Sequence, residues 1–136
     1  MKELERTYIM LKPDALKRGL AGEILSRIEK KGYRFADMKM MQLGEDILKE
    51  HYAHIADRPF FPSLVEYMTS GPVLAMIVEG PDVVLGMRIL MGATKFEDAA
   101  PGTIRGDYAF CTTENLIHGS DSVENAKIEI ARFFGK

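Results

Sequence analysis

The sequence predicts an α+β sandwich in which helices cover a mainly antiparallel sheet. Three observations carry that expectation. Two short runs, Arg6 to Leu11 and Val73 to Glu79, are apolar enough for strands buried on both faces. Helical stretches with one apolar stripe alternate with them, punctuated by Gly and Pro. The resulting order is βαβ(αα)βα(loop)βα, without an internal repeat or a low-complexity segment. A chain of 136 residues suits one domain over 1–136.

Each element has a local reason. The first strand should stop at Lys12-Pro13-Asp14, because Pro13 has no amide hydrogen for a ladder. Leu20, Ile24 and Ile28 recur every four residues opposite Arg27, Lys30 and Lys31, and Gly32 follows where a C-terminal cap belongs. Tyr33 to Leu43 reads as a strand, with Tyr33, Phe35 and Met41 on one face and Met38 and Met40 on the other. Residues 45–56 and 61–70 read as helices separated by Pro59 and Pro62 and closed by Gly71-Pro72. Asp82 to Met91 is a helix with Val83, Met87 and Leu90 inward. From Gly92 to Glu114 no period is sustained, yet Phe96, Ile104, Tyr108 and Phe110 make the stretch too apolar for a solvated tail. It reads as an ordered functional loop. A strand at Asn115 to His118 follows. The last helix is expected to start from Asp121 as N-cap, with Glu124 completing a capping box. Its expected stripe is Val123, Ala126, Ile130 and Phe134. The nine methionines read as packing residues.

Composition narrows the function. Eighteen Lys+Arg against 20 Asp+Glu leave a net charge of −2, which gives no general attraction for nucleic acid or anionic membrane. The longest apolar run, Val73 to Val78, is far short of the ~20 residues that span a bilayer. Lys2, Glu3, Glu5 and Arg6 interrupt any apolar leader, so a cytoplasmic protein is expected. The lone Cys111 excludes an internal disulfide and a multi-cysteine zinc site.

Several residues suit chemistry. His118 ends a strand in Asn-Leu-Ile-His-Gly-Ser-Asp, just before the N–H groups of a helix start. One nitrogen of a neutral imidazole can attack an electrophile while the other is held by an acceptor, and Glu129 is a possible partner. On spacing alone a turn-satisfying histidine is the commoner outcome. Lys12, Arg88 and Arg105 stand beside sharp turns or the long loop, as phosphate-binding cations do, although any one of them alone reads as a surface charge. Neither glycine-rich phosphate cradle occurs. Phe60 and Phe61 offer a ring for stacking on a base, or for the core. His51, His54 and Asp57 have metal-ligand chemistry without a metal-site spacing, and a solvated helix face is the simpler reading.

Longer blocks carry a resemblance. Lys12-Pro13-Asp14, His51-Tyr52, Arg58-Pro59-Phe60-Phe61, Ser70-Gly71-Pro72-Val73, Pro101-Gly102-Thr103-Ile104-Arg105-Gly106-Asp107 and Asn115-Leu116-Ile117-His118-Gly119-Ser120-Asp121-Ser122 come in the order found in nucleoside diphosphate kinases. The chain resembles that family from Arg6 to about Phe134. The resemblance implies a ferredoxin-like sandwich, a four-stranded antiparallel sheet covered by helices. It implies transfer of the γ-phosphoryl group of a nucleoside triphosphate, mainly ATP, to a nucleoside diphosphate by a ping-pong route through a phosphohistidine at His118. Lys12, Arg88, Thr94 and Arg105 match phosphate-binding positions, Lys12 and Asn115 the contacts to the sugar 3′-hydroxyl, and Phe60 the base-stacking position with Leu64 and Thr112 beside it. Tyr52, Ser120 and Glu129 match the residues that position Lys12 and His118.

The same resemblance implies Mg²⁺ held mainly by nucleotide phosphates and water, with no protein metal site. It also implies ATP, GTP and other tri- and diphosphates as partners, no specific nucleic acid, no membrane, and a homo-oligomer, tetramer or hexamer. Ala15, Lys95-Phe96 and Thr112 depart from the family's usual residues; the pair at 95–96 bears on loop rigidity and Thr112 on base contacts. The end at Phe133-Phe134-Gly135-Lys136 resembles bacterial or archaeal members.

Overall fold

The computed structural model describes residues 4–136. Met1, Lys2 and Glu3 lie outside the described residues, so the leader argument from Lys2 and Glu3 rests on sequence alone. Strands β1 (Leu4–Leu11), β2 (Arg34–Met41), β3 (Val73–Pro81) and β4 (Ile117–Gly119) form one antiparallel sheet in the order β2-β3-β1-β4. This is the ferredoxin-like, helix-covered sheet that the resemblance implies. The helices are α1 (Pro13–Lys17), α2 (Ala21–Lys31), α3 (Glu45–His51), α4 (Phe61–Met68), α5 (Val83–Met91), α6 (Ile104–Tyr108) and α7 (Val123–Phe134), with 3₁₀ turns at Ala53–Ile55 and Phe96–Asp98. Among the described residues no helix is long and apolar enough to cross a membrane.

Period-two alternation along the central strands sorts the core onto two faces. Ile9, Leu11, Met76 and Val78 meet Ile24 and Ile28 of α2 and Val83 and Met87 of α5 on one face. Tyr8, Met10, Ala75 and Ile77 meet Leu48, Met68, Ile130 and Phe133 on the other. A fully buried aliphatic side chain contributes about 1.5–3 kcal/mol, so these two layers hold the central pair β1 and β3 rigid. β2 lies at the sheet edge and is bulged between Phe35 and Asp37. Met38 and Met40, expected to pack, are exposed there.

Three local expectations change. Pro62 does not separate two helices: it sits in the first turn of α4, where its missing N–H costs nothing. The stretch after Gly92 contains α6, too short for a periodic signal and nucleated when the Thr103 hydroxyl accepts the Gly106 N–H at 2.9 Å. The N-cap of α7 is Ser122, whose hydroxyl accepts the Asn125 N–H at 3.0 Å; Asp121 instead accepts from the Asn125 side chain. The inward stripe runs Ala126, Ile130 and Phe133, with Phe134 packed against the same cluster, while Val123 is exposed.

Candidate active site

The register of β4 on β1 sets Met10 opposite His118, delivering the histidine from the sheet to the start of α7. The segment before it is strained on purpose. Leu116 is fully buried with φ +76°, a left-handed conformation that costs a non-glycine residue about 1–2 kcal/mol. Two bonds hold it there: its N–H donates to Asp14 Oδ2 at 3.1 Å, and its carbonyl accepts from the Lys12 N–H at 2.8 Å. Asp14 is in turn clamped by a short hydrogen bond from the Tyr67 hydroxyl.

That twist brings the neighbours into place. Lys12 Nζ donates to Asn115 Oδ1 at 2.8 Å, and Asn115 Nδ2 donates to the Thr94 carbonyl at 3.4 Å. Arg105 donates from Nη1 to the Gly92 carbonyl at 2.9 Å and from Nη2 to the Ile117 carbonyl at 2.6 Å. Lys12 and Arg105 are 8% and 3% exposed, so they are not the surface cations that each alone suggests. Burial, with Arg105 nearby, lowers the Lys12 ammonium to about 8. Burial, with Arg88, lowers the Arg105 guanidinium to about 10. Arg88 is exposed on α5.

His118 Nε2 lies 2.9 Å from Glu129 Oε1, which also accepts from the Ser120 hydroxyl at 2.6 Å. Burial alone would raise the Glu129 carboxyl, but the bonds from His118 and Ser120 outweigh it and hold it below its ordinary value. An ionised Glu129 is an acceptor only, so its bond selects the Nε2–H tautomer of His118, the one whose lone pair is on Nδ1. Tyr52 is pushed up to about 12 by burial and by the charge of Glu129, which keeps it a neutral phenol.

A cleft of about 570 Å³ gathers these groups. Lys12, Arg88, Thr94, Arg105, Asn115 and His118 line it, as do Tyr52 and Glu129. Ser120 is buried behind it and acts on it through Glu129. Phe60 is 54% exposed and stands outside the lining, Phe61 is buried, and Leu64 packs on the core. Thr112 Oγ1 lies 3.3 Å from Glu97 Oε1, and Ala15 is fully buried.

His51 overturns its expectation. It is buried, not solvated, and its ring meets His118 edge-on with centroids 4.7 Å apart. Its place three residues after the buried Leu48, on the same helical face, was the available signal. Arg132 was not singled out at all, because its partner lies 81 residues away. His51, His118 and Glu129 offer ligand atoms within 4.8 Å of one another, a nitrogen-rich set that does not suit an oxygen-seeking Mg²⁺.

Such a cleft, with buried cations around an imidazole held by a carboxylate at one nitrogen and free at the other, suits nucleophilic capture of a phosphoryl group. Comparisons with known proteins bear on the same point. Residues 5–136 match the family model described as nucleoside diphosphate kinase. The chain is 55% identical over 131 residues to a nucleoside diphosphate kinase of Thermus thermophilus, with 96% of each covered. It is 54% identical over 134 residues to nucleoside diphosphate kinase A of Homo sapiens, covering 98% of this chain and 88% of that one. Among solved structures, the nucleoside diphosphate kinase of Halobacterium salinarum in complex with CDP superposes with a TM-score of 0.94 at 50% identity, covering 98% of this chain and 90% of that chain.

Proposed function

The chain belongs to the nucleoside diphosphate kinase family, and we propose how its own residues carry the reaction. It transfers the γ-phosphoryl group of a nucleoside triphosphate to a nucleoside diphosphate. His118 Nδ1 attacks the γ-phosphorus, the bond to the bridging oxygen breaks, and its electron pair leaves with the diphosphate. Glu129 keeps the Nε2 proton and offsets the positive charge that grows on the ring. A second diphosphate then takes the phosphoryl group from His118 in the reverse sense, which makes the reaction ping-pong.

Lys12, Arg88, Thr94 and Arg105 bind phosphate oxygens, fixing the line of attack and spreading the equatorial charge. Lys12 and Asn115, already joined at 2.8 Å, meet the 3′-hydroxyl. Tyr52 and Ser120 position Lys12 and His118. Phe60, exposed on the surface, stacks on the base by a contact that every base can make. The Halobacterium relative's complex with CDP supports a nucleotide in this cleft.

The cofactor fits as Mg²⁺ carried by the nucleotide. The cleft's phosphate-facing set is cationic, so phosphate oxygens and water would hold the ion, which would neutralise phosphate charge. The near-neutral balance supports partners other than nucleic acid, and the lone Cys111 supports a reducing, cytoplasmic location. The exposed Met38 and Met40 on the edge strand β2 support a homo-oligomer, tetramer or hexamer.

The observation that carries this reading is the 2.9 Å bond from His118 Nε2 to Glu129, which frees Nδ1 inside the cationic cleft. The test is incubation with γ-³²P-labelled ATP and Mg²⁺ without acceptor, then a chase with mixed diphosphates. Acid-labile label on His118 that moves to every diphosphate is expected. Turnover retained by His118→Ala would overturn the reading.

A further inference from the structure

The reaction assigns no task to Arg132 or to His51, yet both stand beside the nucleophile. Glu129 and Arg132 are one turn apart on α7, where opposite charges pair by default. They do not pair here. Arg132 Nη1 donates instead to His51 Nδ1 at 2.9 Å, and Arg132 Nε lies 3.8 Å from Glu50. The same His51 Nδ1 is 3.9 Å from Glu129 Oε2, so this one nitrogen neighbours both the guanidinium and the carboxylate. His51 is clamped edge-on by His118 and by Phe133, with centroids 4.7 and 5.1 Å away.

To accept at Nδ1 the His51 imidazole must be neutral, and it is. Burial, with His118 beside it, lowers the His51 imidazole to about 3. A guanidinium in a protein stays charged and needs an acceptor; among the described residues Arg132 Nε is buried without a hydrogen bond. Were His51 unable to accept, Arg132 Nη1 would be free to turn from His51 Nδ1 towards Glu129 Oε2, which lies 3.9 Å from that nitrogen. The exposed Glu50 meets the guanidinium only at Nε, 3.8 Å away. A Glu129 drawn to Arg132 would release His118 Nε2, and with it the tautomer that frees Nδ1 for attack.

We propose that His51 is a positioning residue that occupies Arg132 and thereby reserves Glu129 for His118. This rests on His118 as the phosphoryl acceptor. It concerns charge assignment, not packing, and packing is the rival explanation. The two differ in what a second substitution does.

The experiment is single-turnover labelling of the full chain with γ-³²P-labelled ATP and Mg²⁺. His51→Phe keeps a ring against His118 and Phe133 but removes the acceptor. It is expected to slow labelling about tenfold, the worth of one hydrogen bond to a charged group, with little change in the ATP concentration for half-saturation. Adding Arg132→Leu to that variant removes the competing cation and is expected to restore most of the rate. A double variant as slow as His51→Phe, or a His51→Phe as fast as the parent, overturns the proposal. Should His51→Phe fail to fold, His51→Asn, which keeps an acceptor near the Nδ1 position, is compared with His51→Leu. A faster Asn variant supports the assignment; equal rates overturn it. Absence of His118 label on the parent protein would instead sink the reading of the site itself.

Discussion

Replacing Glu129 tests whether charge or mere shape prepares the nucleophile. Its Oε1 accepts from His118 Nε2 at 2.9 Å and from Ser120 at 2.6 Å, inside a half-buried pocket. In the ground state a neutral imidazole donates to a carboxylate; as Nδ1 bonds to phosphorus, the ring turns cationic and the contact becomes an ion pair. A hydrogen bond to a charged group is worth about 1.5–3 kcal/mol, so Glu129→Ala should slow His118 labelling roughly 10- to 150-fold. Glu129→Gln retains a neutral acceptor worth about 1 kcal/mol and should run roughly fivefold faster than the alanine variant. Rapid-quench counting of acid-labile label gives both rates without the second half-reaction. The half-saturating ATP concentration should hardly move, because Glu129 meets no phosphate. A Gln variant as fast as the parent would show that charge is irrelevant, and an unchanged rate in both would refute the tautomer argument altogether.

Two further outcomes follow from the same geometry. Lys12, lowered to about 8 from an ordinary 10.5, should lose its proton as pH rises through about 8, so kcat/KM falls there, and Lys12→Arg should move that limb upward. For stability the sign is opposite: the protonated buried lysine is a cost, fully present below about 8, that fades as pH rises towards 10.5. Tyr8, Tyr52 and Tyr67, all raised by burial, withdraw stability only above their ordinary 10.0, so the two effects separate in a melting series. A Cβ at Gly106 would overlap the Ala100 carbonyl oxygen, which is backbone and cannot swing aside. Gly106→Ala should therefore cost about 1–3 kcal/mol of stability and weaken nucleotide binding through the adjoining Arg105, read by thermal melting and by titration with ADP.

The sheet was legible because its central strands are apolar on both faces and its long helices have one stripe. The period-four spacing of Leu20, Ile24 and Ile28 and the αL glycine at position 32 are local signals, and α2 with its left-handed Gly32 follows them closely. Local signals fail where partners are remote. His51 reads as solvated until Arg132 and His118 arrive from the far end of the chain. The left-handed Leu116 has no sequence signature, since its conformation is imposed by Asp14 from 102 residues away. α6 escaped because five residues are too few to show a period. Thr94 was reached only through the resemblance, and placement beside a turn singled out Arg88 but left it reading as a surface charge.

The cations proposed to bind phosphate are an energetic burden until a ligand arrives, and that burden is measurable. Lys12 and Arg105 are buried among carbonyls and an amide, and the nearby Asp14 carboxylate is already committed to Tyr67 and Leu116. A lowering from 10.5 to about 8 corresponds to about 3 kcal/mol of stability withheld near neutral pH. Lys12→Met removes that cost and loses about 1–3 kcal/mol by stranding Asn115 Oδ1, so the ligand-free variant should melt no lower than the parent at pH 7. A phosphate-bearing ligand reverses the balance. ADP at about 100 times its dissociation constant should stabilise the parent by about 2.7 kcal/mol. The same ADP concentration should stabilise Lys12→Met much less. A ligand-free variant that melts well below the parent while keeping the full ADP shift would mean that Lys12 serves the fold and not the phosphate.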